Sequence, residues 1–176
     1  MAHAAFIALG SNIGGRRTHC EKAIALLKET DGISIVATSP WYRSAALTVN
    51  DQPQSDYCNG VASLTTELTP LELLTLFKEI EKMMGRSGER EKWQPRIIDI
   101  DLLLYDELLL TNADLCIPHP EMEKRLFVLQ PLCDIAPRVL HSRLGKRAHE
   151  LFTHYRDQHP DETIRLWKEA GEEEGL

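Results

Sequence analysis

The sequence predicts an α+β domain in which helices pack on a mainly antiparallel sheet. Three observations carry that reading. The expected elements run strand, helix, strand, strand, helix, strand. The second helical stretch opens with a complete start signal, and the strands alternate or carry β-branched runs. At 176 residues, 43% hydrophobic and 27% charged, the chain suits one domain with a core of its own.

Residues 5–9 (AFIAL) read as a first strand, closed by the turn Gly10-Ser11-Asn12. A helix is expected over about 18–30, where Ile24 and Leu27 fall at helical spacing beside Cys20 and Ala23. Residues 33–38 alternate as a strand, Pro40 interrupts it before Trp41 and Tyr42, and 44–55 form a polar loop. The stretch 57–68 gives another strand. Thr69-Pro70-Leu71-Glu72 then opens a helix, with Thr69 as N-cap, Pro70 at the first position and Glu72 completing a capping box; it stops at Gly85. After a charged loop, 96–105 carries the strongest strand signal. A turn at Asp106-Glu107 is expected to return the chain through Leu108 to Leu110 as a hairpin. An apolar stretch over 126–132 and one or two terminal helices follow. From Asp157 onward seven acidic residues stand against two basic ones, which reads as a solvated helix with a frayed tail. This order lies close to the ferredoxin-like pattern.

The net charge of −7 argues against a general nucleic-acid or membrane-surface binder. No apolar run approaches a membrane span, and the N-terminus lacks a basic region followed by an apolar one. Cys20, Cys58, Cys116 and Cys133 form no CxxC pair and no zinc-like spacing, so they read as reduced thiols of a cytoplasmic protein. Nothing demands more than a monomer.

In a strand, residues two apart share a face. Asp99 and Asp101 therefore project together, while Ile98, Ile100 and Leu102 point the other way. Two carboxylates side by side repel and lose hydration, so a positive partner is required. A magnesium ion on phosphate oxygens fits such a pair. An exposed strand face, or pairing with Arg96 or Arg125, would also satisfy it. The loop ahead of the strand carries Arg86, Arg90, Lys92 and Arg96 with Gly85 and Gly88, and it places the large Trp93 outside any element. Cations on a hinged loop feeding a metal-binding strand suit phosphoryl transfer, although a solvated loop with Trp93 packed on the core explains the same residues. The Gly10 to Gly15 segment lacks both the Lys-Ser/Thr ending of a P-loop and the GxGxxG spacing. ATP, if bound, is held outside those motifs.

Several strings occur in order: Ala8-Leu9-Gly10-Ser11-Asn12, Tyr42-Arg43-Ser44, Asp56-Tyr57-Cys58-Asn59, Ile80-Glu81, Gly85-Arg86, Trp93-Gln94-Pro95-Arg96, Asp99-Ile100-Asp101, Pro118-His119-Pro120 and Arg125-Leu126-Phe127-Val128-Leu129. Together they resemble the 6-hydroxymethyl-7,8-dihydropterin pyrophosphokinase family of folate biosynthesis, over roughly 5–136. With the acidic end, the chain is expected to divide into a pyrophosphokinase domain over 1–160 and an acidic tail over 161–176. The resemblance implies transfer of the β,γ-pyrophosphate of ATP to the hydroxymethyl oxygen of the dihydropterin, with AMP released. It also implies two magnesium ions on Asp99 and Asp101, and catalytic roles for Arg86 and Arg96. Tyr57 and Phe127 would sandwich the pterin ring, Asn59 would read its polar edge, and Ser44, Ala45, Leu47 and Trp93 would complete that pocket. Glu81, Arg86, Lys92, Trp93, Arg96, Leu102, His119 and Arg125 would line the ATP side. The chain departs from the pattern at Gly88 and Asp114, where members carry arginine, and at Cys116, Pro120 and Ala45-Ala46. A pterin or nucleotide sensor need not keep metal ligands and loop arginines, and a metal-dependent phosphohydrolase leaves Tyr57, Phe127 and Asn59 unexplained.

Overall fold

The computed structural model describes residues 1–46, 54–85 and 95–168. The first half contains β1 (His3–Ser11), α1 (Arg16–Lys28), β2 (Ile33–Thr38), β3 (Tyr42–Ser44), β4 (Tyr57–Thr66) and α2 (Pro70–Met83). The second contains β5 (Asp99–Tyr105), β6 (Leu110–Thr111), β7 (Cys116–Ile117), α3 (Leu126–Ile135), β8 (Leu140–His141), β9 (Lys146–Arg147), α4 (Ala148–Gln158) and β10 (Arg165–Leu166).

The main sheet has the order β10-β3-β4-β1-β5, with β2 also on β4, and its pairings are antiparallel. β2 and β3 lie end to end along β4, β2 against 62–66 and β3 against 57–59. Pro40 breaks the ladder between them, and Ser39 bridges the gap: its N–H donates to the Val61 carbonyl and its Oγ accepts from Val61 N–H. Counting β2 and β3 as one bent strand leaves the split βαβ arrangement of the ferredoxin-like fold, as the order of elements implies.

Both sheet faces are covered. Cys20, Ala23, Ile24 and Leu27 of α1, spaced by three and four, are buried with Leu73, Phe77 and Ile80 of α2. They share one cluster with Ala5, Ile7 and Leu9 of β1. On the other face Phe6 and Ala8 meet Val128 and Leu132 of α3, and α4 closes over α3 through Leu151 and Tyr155. α2 begins as its sequence requires: Thr69 Oγ1 accepts from Glu72 N–H and a Glu72 carboxylate oxygen accepts from Thr69 N–H. No helix among the described residues is long and apolar enough to cross a membrane.

Two expectations are corrected. No hairpin returns along β5: Asp106 takes φ +45°, its carboxylate accepts from Ala4 N–H, and Leu110–Thr111 pairs instead with Cys116–Ile117. A short polar hinge fixed by β1 thus sends the chain away from the strand it has left. Among the described residues beyond Gln158, 159–168, the chain is not helical. β10 joins the free edge of β3, with Trp167 N–H donating to the Trp41 carbonyl. Edge backbone groups offered hydrogen bonds that an isolated acidic helix could not.

Candidate active site

The site grows out of the register of three strands. Across β1, Gly10 pairs with Asp99 on one side and Asn59 on the other, while Ala8 pairs with Asp101 and Val61. Side chains in register share a face, so Asp99 and Asp101 stand opposite Asn59, about 10 Å away across two strand spacings. The residues between them are the smallest available. A Cβ at Gly10 would lie 3.0 Å from Asn59 Oδ1 and 3.7 Å from Tyr57 Cδ1, so glycine keeps the trough open.

α3 roofs this trough with Phe127, giving a cavity of about 220 Å3 that Tyr57, Asn59, Ser44, Ala45, Asp99, Asp101, Arg96, Arg125 and His119 also line. Asn59 Nδ2 donates to Ser44 Oγ, which fixes the amide at the cavity wall. Arg125 lies 5.8 Å over the Phe127 ring, a cation on an aromatic face. Arg96 Nη1 donates to Asp99 Oδ2 at 2.9 Å. Arg96 therefore does pair with one of the two acids, one of the partners the sequence left open.

The backbone of Arg96 is held by the residue that follows β1, the neighbouring strand. Its N–H donates to Asn12 Oδ1 at 2.6 Å, and Asn12 N–H donates to its carbonyl at 3.0 Å. Gly10 and Ser11, expected as a turn, instead continue β1, and Asn12 just beyond it clamps the arginine that precedes the carboxylate strand. That role is invisible in sequence, because the partners are 84 positions apart.

A second cavity, about 290 Å3, lies on the other side of the carboxylates, between α2 and 112–120. Glu81, Leu102, Asp114, Cys116 and Pro120 line it, as does Lys78, which the sequence reading did not single out. The buried Glu81 accepts from Ile100 N–H at 2.9 Å and so braces β5 from behind. Asp99, Asp101 and His119 line both cavities.

His119 follows the cis Ile117-Pro118 bond, and its N–H donates to the carbonyl of Leu103 at 2.9 Å. Leu103 is the extra residue of a bulge in β5, and β5 is an edge strand, so this docks the segment against the carboxylates. His119 Nδ1 accepts from Glu121 N–H, which leaves the proton of the neutral ring on Nε2. Burial, helped by Arg125 and opposed by Glu121 and Asp99, pushes its pKa down to about 4. At neutral pH the ring is a donor without charge. Because the unfolded chain takes up this proton near 6.5 and the folded one only near 4, acid favours unfolding across that window. Stability is expected to fall as pH drops from 6.5 toward 4, by up to ~3 kcal/mol from this group. Urea titrations of wild type and His119→Asn at a series of pH values check this. The variant loses less over the window; equal slopes would refute it.

Of the residues expected on the pterin side, Ser44, Ala45, Tyr57, Asn59 and Phe127 line the first cavity; Leu47 and Trp93 lie outside the described residues. Of those expected on the ATP side, Glu81, Leu102 and His119 line the second cavity. Arg96 and Arg125 stand on the wall of the first, and Arg86 and Lys92 fall outside the described residues. Gln54 is a further lining residue that sequence did not assign; it accepts from Asn12 Nδ2.

Residues 6–137 match the family model for 7,8-dihydro-6-hydroxymethylpterin-pyrophosphokinase. The chain is 44% identical over 144 residues to a 2-amino-4-hydroxy-6-hydroxymethyldihydropteridine pyrophosphokinase of Synechocystis sp., covering 82% of this chain and 72% of that one. A protein of the same name from Bacillus subtilis is 38% identical over 169 residues, covering 96% and 93%. Among solved structures, the Plasmodium falciparum HPPK-DHPS with pteroate superposes with a TM-score of 0.72 at 17% identity, over 92% of this chain. The chain spans 44% of that longer protein, and the likeness speaks for the fold.

Proposed function

The chain belongs to the 7,8-dihydro-6-hydroxymethylpterin-pyrophosphokinase family, and we propose that its two cavities seat that family's two substrates. The dihydropterin occupies the trough between Tyr57, Asn59 and Phe127, and ATP the cavity between α2 and 112–120. The reaction is transfer of pyrophosphate from ATP to the hydroxymethyl oxygen, a step of folate biosynthesis. The bond between the α-phosphorus and the bridging oxygen to the β-phosphorus is not the one cleaved: the β-phosphorus leaves that oxygen, which departs with AMP, and bonds to the alcohol oxygen as its proton is lost. The observation that carries the reading is that Asp99, Asp101 and His119 line both cavities.

The donor set suits magnesium. Two carboxylates share a strand face, and among the described residues no group of three or more His, Cys, Asp or Glu could cage a metal ion. Magnesium is commonly held by one or two carboxylates with phosphates and water completing its shell. Asp99 and Asp101 would hold the two ions, which when bound supply charge neutralisation and polarisation of the reacting oxygens. Tyr57 and Phe127 offer aromatic surface to a flat heterocycle, and Asn59, held by Ser44, offers directed hydrogen bonding to its edge. Arg96 and Arg125, on the wall of the first cavity, bring positive charge to the acceptor's side of the transfer. His119 donates from Nε2–H as a neutral group. Arg86 and Lys92 belong to the proposed nucleotide side, Leu47 to the pterin side and Trp93 to both.

We further propose a monomer acting in the cytoplasm, since residues of one chain line both cavities and the four cysteines are free thiols. Incubation with ATP, magnesium and hydroxymethyldihydropterin, with AMP and pterin diphosphate quantified, tests the function. Equal formation of the two supports it. Pterin binding without AMP would replace it with a sensor, and pterin-independent phosphate release with a hydrolase.

A further inference from the structure

We propose that Trp167 is a positioning residue for the pterin trough, acting through Arg16 and Arg43; this rests on the placement of pterin beside Tyr57. Two guanidinium groups lie over the Trp167 ring, with Arg16 Cζ 4.9 Å and Arg43 Cζ 4.8 Å from its centroid. Both distances fall within the range of cation–π attraction. The backbone of the same residue is fixed, because β10 pairs with β3 and Trp167 N–H donates to the Trp41 carbonyl at 2.8 Å.

Each arginine leads to the trough. Arg43 precedes Ser44 in β3, and Ser44 pairs in register with Tyr57 and accepts from Asn59. Arg16 Nη1 donates to the Asp56 carbonyl at 2.8 Å, fixing the residue before Tyr57. One indole therefore holds both chain ends from which the outer wall of the trough is built, that leaving β3 and that entering β4.

The location of Arg16 supports a bound role for its cation. It is the first residue of α1, where the helix dipole disfavours positive charge. An arginine kept there has its guanidinium engaged by the Trp167 face and the Asp56 carbonyl instead. None of the three lines either cavity, but Ser44 and Tyr57, next to the points they hold, line the first cavity and not the second, so the effect is expected on one substrate.

The test is titration of full-length wild type, Trp167→Ala and Trp167→Phe with a non-hydrolysable ATP analogue, then with hydroxymethyldihydropterin at saturating analogue. Trp167→Ala is expected to weaken pterin binding ~10-fold while analogue affinity stays within about twofold. Steady-state kinetics should show a raised pterin KM with kcat nearly kept, and Trp167→Phe should restore most of the loss. Should Trp167→Ala not fold, Arg16→Met, at a partly exposed helix start, carries the same expectation. Wild-type pterin affinity in the folded alanine or methionine variant would overturn the inference, as would equal weakening of both ligands. A wild-type protein that binds the analogue but no pterin would instead overturn the assignment of the trough, and the inference with it.

Discussion

Asp99→Ala and Asp101→Ala are each expected to slow pyrophosphate transfer by ~10³-fold or more, with the fold retained. The size follows from where the carboxylates stand. They are the acids shared by the walls of both cavities, so a cation held there would stand between the proposed donor and acceptor sites. Removing one leaves the phosphate charge without its counterweight at the point of bond exchange. Retention of the fold follows from the opposite side of the strand. Ile98, Ile100 and Leu102 are buried in the cluster beneath α1 and α2, and the ladder to β1 is made by backbone groups that alanine keeps. Asp99→Asn keeps shape and removes charge, so it separates electrostatics from cavity size. Single-turnover formation of AMP measures the rate, and urea unfolding checks the fold. Near-normal turnover in either alanine variant would defeat the metal assignment.

How much of this was legible before folding depended on the range of the interaction. The carboxylate pair could be read because a strand has period two, and that period reappears as Asp99 and Asp101 facing the trough with Ile98 and Ile100 behind. The start of α2 was equally plain, since Thr69 and Glu72 need only each other. Strand β2 kept the expected bounds for the same reason. Elements of two residues were not legible. Leu110–Thr111 and Arg165–Leu166 have no periodicity to display, and their partners are chosen by whichever backbone edge lies near. Leu108 and Leu109, which suggested a returning strand, are instead exposed. The contacts that hold the lining residues in place were hidden for a related reason. Asn12 meets Arg96, and Trp167 meets Arg16 and Arg43, only after the sheet has formed. Family strings mark Asn12 and Arg96 as belonging together without saying that one holds the other.

Arg96→Ala is expected to lower the transfer rate by ~10²-fold, with pterin affinity changed by no more than about threefold. The guanidinium has two competing assignments. Without nucleotide it neutralises Asp99 at 2.9 Å, and both side chains are only about a quarter exposed. With nucleotide and metal bound as proposed, Asp99 would gain another cationic partner and the guanidinium could turn to phosphate oxygens. Its backbone does not need to move for this, because Asn12 clamps it through two hydrogen bonds. A pinned main chain with a side chain that can exchange partners suits stabilisation of charge that develops during transfer, where preorganisation carries the benefit. Loss of the arginine should therefore appear in the chemical step more than in ground-state binding. Arg96→Lys should recover only part of the rate, since an ammonium cannot present the planar fork that matches carboxylate or phosphate. Asn12→Ala makes the complementary case: the guanidinium remains but its mooring is cut, so the rate should fall while Arg96 stays chemically intact. Single-turnover rates and pterin titrations for the three variants decide the matter. An unchanged rate in Arg96→Ala would remove the residue from the mechanism.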